Sequence, residues 1–205
     1  MARYRGPRLK VARALGVNVI YHPRLEGERS RLMTPPGEHG KKRKKLSDYA
    51  VRLKEKQKLR AYYGVLEKQF RKYVEKAFKQ KGVTGDNLVI ALETRLDNLV
   101  FRLGFGTSLR QARQMVNHGH ILVNGKKVDI ASYACKPGDI IALKEKSKKT
   151  EMFVQNFTVN ANFKLDYLER DTEKLVGKLA EWPTRDAIPV EIHDSYIIEF
   201  YARMM

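Results

Sequence analysis

One dipeptide near the middle of the chain limits the possible folds more than any other feature. Asn124-Gly125 separates two apolar runs, and a type I′ turn, which needs positive φ at both central residues, is the conformation that this dipeptide favours. Residues 120–123 supply the first strand, and the second lies around Val128. The sequence therefore predicts a β-hairpin here.

Two helices are predicted before the hairpin. Apolar side chains recur at the helical period over residues 92–103, which predicts one core-facing helix. After the Gly104-Phe105-Gly106 break, Ser108 and Gln111 have the spacing of a capping box, so a second, short helix begins there. Gly119 is expected to end that helix in a left-handed conformation. One face of the second helix is apolar, and the other carries Arg110, Arg113, Gln114 and Asn117.

A second turn completes this region. The run Lys136-Pro137-Gly138-Asp139 has the composition of a β-turn and introduces a strand at residues 140–143. Residues 94–146 are thus predicted to form two helices followed by a small curled antiparallel sheet. Because the cationic helix and the hairpin are adjacent in sequence, we expect them to be neighbours in space. Their positive charges and amide donors would form a ridge suited to a phosphate backbone.

The distribution of charge indicates the class of partner. The chain has 205 residues, with 41 Lys and Arg against 23 Asp and Glu, and a net charge of +18. Residues 1–60 hold 18 basic and 5 acidic side chains, whereas residues 161–205 hold 6 basic and 9 acidic ones. Such an excess is typical of a protein that binds nucleic acid or an anionic membrane. The sequence has no apolar run of the ~18 residues that a membrane span needs and no apolar core of a signal peptide, so nucleic acid and a cytoplasmic location are expected.

The N-terminal segment, residues 1–45, is expected to be an extended basic arm. It has little apolar periodicity and contains the cationic run 41–45, and such a segment buries too little surface to offset its ordering entropy without a partner. No metal is predicted to hold it. Cys135 is the only cysteine of the chain, and His22 and His39 alone do not make a metal site.

Helices are predicted to follow the arm over residues 46–93. Ser47 is the expected N-cap of the first, which runs to about Tyr63 and carries a band of Lys and Arg. A second helix with one apolar side follows, and Gly82 is expected to end it.

The signals are weaker after the sheet. Residues 151–156 are predicted as a short helix, and Trp182-Pro183 and Ile188-Pro189 mark turns. The segment 190–192 and the apolar residues within 196–201 indicate a last strand and a terminal element.

Several motifs of the chain resemble one family. The RNA-binding module named after small-subunit ribosomal protein four is matched by RLDNLVFRLGF, SLRQARQMVNHGHILVNGKKVDI and the turn SYACKPGD. The chain also resembles the bacterial members of that ribosomal protein family in five further segments. They are MARYRGPRLK, PPGEHG, LSDYAVRLKEKQKLRAYYGVLEKQFRKY, KGVTG and IIEFYAR. The resemblance covers nearly the whole chain. The ordered flanking motifs are more specific than the module, which many proteins share.

The resemblance implies both a fold and a function. The fold is α+β: a helical domain at residues 46–93, completed by residues 181–205, contains an inserted RNA-binding module at residues 94–180. The function is that of a structural protein of the small ribosomal subunit. Such a protein binds 16S rRNA early in assembly, affects translational accuracy together with small-subunit ribosomal protein five, and represses its own operon through its mRNA.

The resemblance also implies what the chain lacks. Many members bind zinc through cysteines of the N-terminal arm, and this sequence has none of those cysteines. No catalytic residue, cofactor, metal, membrane or small-molecule substrate is expected.

Two other classes of protein carry the same module. An RNA-modifying enzyme needs a separate catalytic domain, but only about sixty residues follow the module, without a glycine-rich cofactor loop, a cysteine nucleophile or a recognisable carboxylate cluster. A stress or regulatory protein that binds free ribosomal particles would not explain MARYRGPRLK or the helix LSDYAVRLKEKQKLR. The ribosomal interpretation therefore leads.

The candidate rRNA-binding residues are Lys and Arg, which neutralise phosphates, and polar side chains, which contact 2′-hydroxyls. They lie in three segments of the chain. Those of the arm are Arg3, Arg5, Arg8, Lys10, Arg13, Lys41, Lys42, Arg43, Lys44 and Lys45. Those of the helical region are Tyr49, Arg52, Lys54, Lys56, Lys58, Arg60 and Arg71. Those of the module are Ser108, Arg110, Gln111, Arg113, Gln114, Asn117, His118, His120 and Asn124. The acidic C-terminal segment is predicted to contact protein through Glu169, Asp171, Glu173 and Glu191.

Overall fold

The computed structural model of the chain describes residues 4–27, 30–40, 42, 45–159 and 165–202. It consists of two compact units, one drawn from Met1–Leu88 and Val190–Met205 and the other from Val89–Pro189. Helices occur in both units, and the second unit also contains a five-stranded antiparallel sheet, which confirms the predicted α+β class. Within the described ranges, no helix is both long and apolar enough to cross a membrane.

The elements are numbered in chain order. The helices are α1 (Arg8–Leu15), α2 (Asp48–Tyr62), α3 (Glu67–Lys79), α4 (Thr84–Glu93), α5 (Leu96–Arg102), α6 (Leu109–Asn117), α7 (Glu145–Lys148), α8 (Glu151–Val159) and α9 (Asp194–Ala202), with a 3-10 helix at Pro23–Leu25. The strands are β1 (Ile121–Val123), β2 (Lys126–Lys127), β3 (Ile140–Leu143), β4 (Leu168–Asp171) and β5 (Val176–Leu179).

The N-terminal segment differs from the predicted extended arm. Its described part contains the helix α1, which packs against α2 and buries Ala12 and Leu15. Gly16 ends α1 in the left-handed conformation, with φ of 72°. This helix was not predicted because its eight residues, five of them basic or alanine, are too few to show a clear apolar period. The arm is therefore anchored to the first unit by a small apolar face.

The helix α2 begins and ends as predicted, whereas α3 ends differently. The Ser47 hydroxyl accepts a hydrogen bond from the Ala50 N–H at 3.3 Å, which confirms Ser47 as the N-cap of α2. The prediction that Gly82 ends α3 was wrong. The backbone is already extended at Gln80, which forms the C-cap of α3. The Gln80 N–H donates to the Ala77 carbonyl. Gly82, with φ of 102°, shapes the turn that follows.

The strand predicted at residues 190–192 is wrong, and the terminal element predicted at residues 196–201 is a helix, α9. Residues 190–193 form no described strand, and α9 follows them. Strand propensity is high in this segment, but its buried side chains, Ile197, Phe200 and Tyr201, lie at i, i+3 and i+4, which is helical spacing. Through that face α9 packs on α2.

A single helix predicted over residues 92–103 is two helices in the structure. The chain is extended at Arg95, which forms an isolated antiparallel bridge with Ala134. The Leu96 N–H donates to the Tyr133 carbonyl at 2.9 Å, and the Cys135 N–H donates to the Thr94 carbonyl at 2.9 Å. Hydrogen bonds to a distant segment therefore replace the helical ones at this break.

The sheet of the second unit has the order β2-β1-β3-β5-β4, with every pairing antiparallel. The predicted hairpin is confirmed, because β1 pairs with β2 and the backbone has φ of 51° at Asn124 and 76° at Gly125. The predicted turn before β3 is also confirmed, since the Asp139 N–H donates to the Lys136 carbonyl. The hairpin formed by β4 and β5 was not predicted.

Side chains outside the sheet pack on one another and on β5. The helix predicted at residues 151–156 is confirmed as α8 and extends to Val159. The rings of Phe105 and Phe157 stack with centroids 4.3 Å apart. Gly177 of β5 lies so close to Leu103 that an added Cβ would approach the Leu103 methyl carbons to 2.5 Å.

Candidate nucleic-acid interface

The helix α6 presents the exposed polar face that its sequence predicted. Its N-terminus is capped by Ser108, whose hydroxyl accepts from the Gln111 N–H at 3.3 Å. The Gln111 side-chain oxygen accepts from the N–H of Thr107 at 2.7 Å, so the returning bond of the capping box reaches one residue earlier than in the standard motif. Along the helix the exposed side chains are Arg110, Gln114 and Asn117.

Arg113 has a different surrounding from the other polar residues of α6. Its guanidinium donates to the Asp97 carboxylate at 2.8 Å, and that carboxylate also accepts two hydrogen bonds from Arg95, at 2.7 and 3.0 Å. The side chains of Arg95 and Asp97 are 2% and 1% exposed. Arg113 therefore holds α6 to the start of α5, in addition to the role in binding predicted for it.

The polar atoms of Asn124 are used within the chain. Its Nδ2 donates to Asp139 Oδ1 at 2.8 Å, and its Oδ1 accepts from the Ile140 N–H at 2.9 Å. The other oxygen of the Asp139 carboxylate accepts from the Lys136 N–H at 2.8 Å. We call this arrangement of Asn124, Asp139 and Ile140 the clasp. It ties the tip of the hairpin to the turn before β3.

Lys126 and Lys127, which are not among the predicted rRNA-binding residues, are both exposed, and Lys127 lies beside the C-terminal end of α6. A Cβ added to Gly119 would approach Lys127 Cε to 2.3 Å, so the Lys127 side chain crosses the C-terminal end of α6. The helix and the hairpin are therefore spatial neighbours, as expected. The signal was present in the sequence, since both lysines directly follow the Asn-Gly turn.

The two histidines after α6 lie in different surroundings. His118 is exposed and forms the C-cap of α6. His120 is partly buried: its Nδ1 lies 2.9 Å from the Ser147 hydroxyl, and its ring centroid lies 5.0 Å from that of Phe153. Burial, reinforced by His118 and Lys144, lowers the pKa of His120. His120 is thus held as a neutral packing residue.

Nucleophilic and metal chemistry find little support in the described residues. Burial, with added repulsion from Asp139 and Asp97, raises the pKa of the Cys135 thiol to about 12, which keeps it in the unreactive protonated form. The described ranges contain no group of three or more His, Cys, Asp or Glu side chains placed to hold a metal ion. The His22 ring nitrogen accepts a hydrogen bond from the Arg24 N–H.

Most cations of α2 that were predicted to bind rRNA have acidic partners in the chain. Glu67 accepts from Lys56 at 3.0 and 3.1 Å, from Arg60 at 2.6 Å and from the Tyr201 hydroxyl at 2.6 Å. Lys56 is 6% exposed, and its Nζ lies 4.6 Å from the centroid of the Phe200 ring. In this structure Lys56 is therefore a packing residue, inaccessible to a phosphate at the surface.

The other candidates of α2 lie nearer the solvent. Arg52 donates to Glu199 at 2.6 Å, and this hydrogen bond raises the pKa of Arg52. Lys58 donates to Glu55 at 2.6 Å, and Lys54 is partly exposed. The ring of Tyr49 is 55% exposed. These side chains remain candidates, two of them within ion pairs.

The candidates of the arm and of α3 are mostly exposed where they are described. The exposed ones are Arg5, Lys10, Lys42, Lys45 and Arg71, of which Arg71 pairs with Glu75 at 3.0 Å. Arg8 and Arg13 are partly buried, and Arg13 donates to the Thr34 carbonyl at 3.1 Å. Arg3, Lys41, Arg43 and Lys44 lie outside the described residues.

The acidic candidates for protein contact divide between the two units. Glu169, Asp171 and Glu173 lie together on the β4–β5 hairpin, whereas Glu191 precedes α9 in the first unit. Glu169 pairs with Lys178 at 3.2 Å. Asp171 accepts from the N–H groups of Lys174 and Glu173, and these bonds lower the pKa of its carboxyl. Asp171 thus shapes the turn between the two strands.

Comparison with known proteins gives matches along the chain. Residues 3–93 match the family described as Ribosomal protein S4/S9 N-terminal domain, and residues 94–141 match the S4 domain. Small ribosomal subunit protein uS4B of Clostridium acetobutylicum is 51% identical over 203 residues, which cover 99% of this chain and 100% of that protein.

Two further relatives come from another bacterial genus. They are the small ribosomal subunit proteins uS4 of a Geobacillus sp. and of Geobacillus thermodenitrificans. Each is 49% identical over 207 residues, with 99% of this chain and 100% of the relative covered. The similarity therefore extends over both structural units.

Proposed function

The chain belongs to the family of small ribosomal subunit protein uS4, and from this premise we propose that it binds 16S rRNA as an early component of small-subunit assembly. Family membership also confirms the prediction that the chain is not an enzyme, because its relatives are ribosomal proteins. The competing interpretations, an RNA-modifying enzyme or a stress protein, do not account for similarity that spans 99% of the chain.

The observation that best supports this proposal is the basic ridge of the second unit, which we define as the exposed side chains of α6 together with Lys127. Arg110 lies at one end, and Lys127 crosses the other end above Gly119. Gln114 and Asn117 lie between these cations and supply amide groups. A row of cations with amides between them matches a phosphate backbone carrying 2′-hydroxyls.

Exposed cations of the first unit are further candidates for contact with rRNA. They are Arg5, Lys10, Lys42, Lys45 and Arg71. Exposed Lys and Arg contribute a sequence-independent attraction that grows with the number of phosphates neutralised. Selectivity for one RNA would come from the shape of the folded RNA, which side chains spaced along one helix and one hairpin can match.

The experiment that tests rRNA binding measures affinity for a fragment of the 5′ domain of 16S rRNA over a range of salt concentrations. For the double variant Arg110→Gln, Lys127→Gln, we expect the slope of log affinity against log salt to become shallower by about two, because two phosphates are no longer neutralised. The matched control is Lys79→Gln, Lys174→Gln, which removes two exposed charges outside the ridge. Equal slopes for both double variants would exclude the ridge as the rRNA surface.

We also propose that the acidic residues of the C-terminal segment contact a protein, with small-subunit ribosomal protein five as the expected partner, and thereby affect accuracy. Glu169 and Glu173 are exposed on the β4–β5 hairpin, and carboxylates there would repel phosphate and suit a basic protein surface. An interface present in only one state of the subunit biases the equilibrium by its own free energy, so a loss of ~1.4 kcal/mol shifts populations tenfold.

This second proposal has its own readout. Glu169→Gln with Glu173→Gln should leave rRNA affinity within twofold of the wild type and change the rate of misreading in a translating extract. Loss of rRNA binding with normal accuracy would assign this hairpin to RNA.

Repression of its own operon is tested separately, by measuring binding of the purified protein to the leader of its own mRNA, with 16S rRNA as competitor.

A further inference from the structure

The Asn-Gly turn of the hairpin has a chemical property beyond its shape. Asn124 is the only asparagine of the chain that is followed by glycine. Asparagine deamidates when the backbone nitrogen of the next residue attacks its side-chain carbonyl carbon, and glycine, which has no side chain, hinders this attack least. Both residues are exposed, and a Cβ added to Gly125 would meet no atom within 4 Å.

We propose that Asn124-Gly125 is a site of spontaneous deamidation and that the clasp to Asp139 and Ile140 controls its rate. In this reaction the deprotonated Gly125 nitrogen forms a bond to Asn124 Cγ, and ammonia leaves as that carbon's bond to Nδ2 breaks. The product is a cyclic succinimide. Water then opens either of its two carbonyls, which gives aspartate or isoaspartate at position 124.

The clasp opposes this reaction by fixing the side-chain amide. Its Nδ2 is bound to Asp139 at 2.8 Å and its Oδ1 to the Ile140 N–H at 2.9 Å, so both ends of the amide are held by a neighbouring turn. The Asp139 carboxylate is itself fixed by the Lys136 N–H at 2.8 Å. Forming the ring draws Cγ toward the Gly125 nitrogen, and both hydrogen bonds of the amide oppose that movement. Opening the clasp should therefore speed the reaction.

The product cannot restore the clasp. An aspartate at position 124 lacks the Nδ2 donor and would place its carboxylate against that of Asp139, where the present donor and acceptor are 2.8 Å apart. Isoaspartate also adds a methylene to the backbone, which changes the register of a two-residue turn. Deamidation would thus release the hairpin tip from the turn before β3. It would also add a negative charge beside the basic ridge. The effect of this charge on RNA binding rests on the proposed function.

The test incubates the full-length protein in mildly alkaline buffer and locates deamidation by peptide mass spectrometry. In Asp139→Ala we expect deamidation at Asn124 at least about tenfold faster than in the wild type, equivalent to ~1.4 kcal/mol of lost protection. The matched control is Asp129→Ala, which removes an exposed acid that pairs with Lys127 near the same hairpin. It should deamidate at the wild-type rate.

A second variant separates loss of the clasp from loss of the fold. Asp139→Asn keeps an oxygen that can accept from Asn124 Nδ2, so its rate should lie between those of the wild type and Asp139→Ala. If Asp139→Ala and the wild type deamidate at Asn124 at equal rates, or if Asn124 deamidates in neither protein, the proposal is wrong. Neither outcome depends on RNA, so the rRNA-binding proposal stands or falls separately.

Discussion

The carboxylate of Glu67 should be among the most important single groups for the stability of the first unit. It accepts four hydrogen bonds, which join α3 to Lys56 and Arg60 of α2 and to Tyr201 of α9. Glu67→Ala would leave Lys56 buried without its carboxylate, while the hydroxyl of Tyr201, a residue only 2% exposed, would lose its acceptor.

The expected cost lies between two limits. Breaking a fully buried ion pair costs ~3–5 kcal/mol, whereas an exposed pair contributes only ~0–1 kcal/mol. The side chain of Lys56 is 7% exposed and that of Glu67 is 46% exposed, so one end is buried and the other is screened by solvent. We therefore expect Glu67→Ala to lower the free energy of unfolding by about 2 kcal/mol.

Urea denaturation followed by circular dichroism measures this loss. The matched control is Glu75→Ala, which removes a carboxylate from the same helix but breaks only the exposed pair with Arg71, worth about 0.5 kcal/mol or less. Equal destabilisation by the two substitutions would refute the assigned role of Glu67.

The pH dependence gives an independent check on Glu67. Burial by itself raises the pKa of this carboxyl, but the hydrogen bonds from Tyr201 and Lys56 outweigh it and lower the pKa below its ordinary value. A group with a lowered pKa stabilises the fold above its unfolded pKa, ~4.3, and loses that contribution as the pH falls through its folded pKa. The difference between wild type and Glu67→Ala should therefore shrink in acid.

Three further predictions concern the second unit. Arg113→Gln should destabilise by about 1–2 kcal/mol in thermal unfolding, because the buried Asp97 carboxylate loses a charged donor, whereas the exposed Arg110→Gln should cost less than ~0.5 kcal/mol; equal effects would contradict this. Gly177→Ala should cost about 1–3 kcal/mol by overpacking, and a neutral result would mean that the neighbouring Leu103 can move aside. Since burial lowers the pKa of His120, stability should fall as the pH drops below ~6.5 toward the folded value, and His120→Gln should remove this part of the pH dependence.

The sequence predicted best the features that depend on neighbouring residues. The cap at Ser108 and the positive φ at Asn124 and Gly125 are local choices of backbone and side chain, and both are confirmed. The sequence failed where distant contacts decide. The break at Arg95 is stabilised by hydrogen bonds with residues 133–135, and no periodicity within residues 92–103 could reveal it.

In the candidate interface, too, the sequence predicted the local features and missed those that depend on tertiary contacts. Residue type and helical spacing suffice to identify Arg110, Gln114 and Asn117 as exposed polar residues of α6. Counting basic residues could not show that Lys56 is buried against Glu67, because its partner lies on another helix and residues of α9 complete the site. Charge composition predicts a polyanion partner, but which cations are available to that partner depends on tertiary pairing.

The hydrogen bonds at the break between α4 and α5 have a consequence for the order of folding. They join Thr94 and Leu96 to residues 133 and 135, so they close a loop of nearly forty residues that contains α6 and the hairpin. The entropy of closing such a loop must be overcome before these bonds form. The start of α5 can therefore become fixed only after, or together with, the hairpin. In hydrogen-exchange experiments, the amides of Leu96 and Cys135 should open as one cooperative unit.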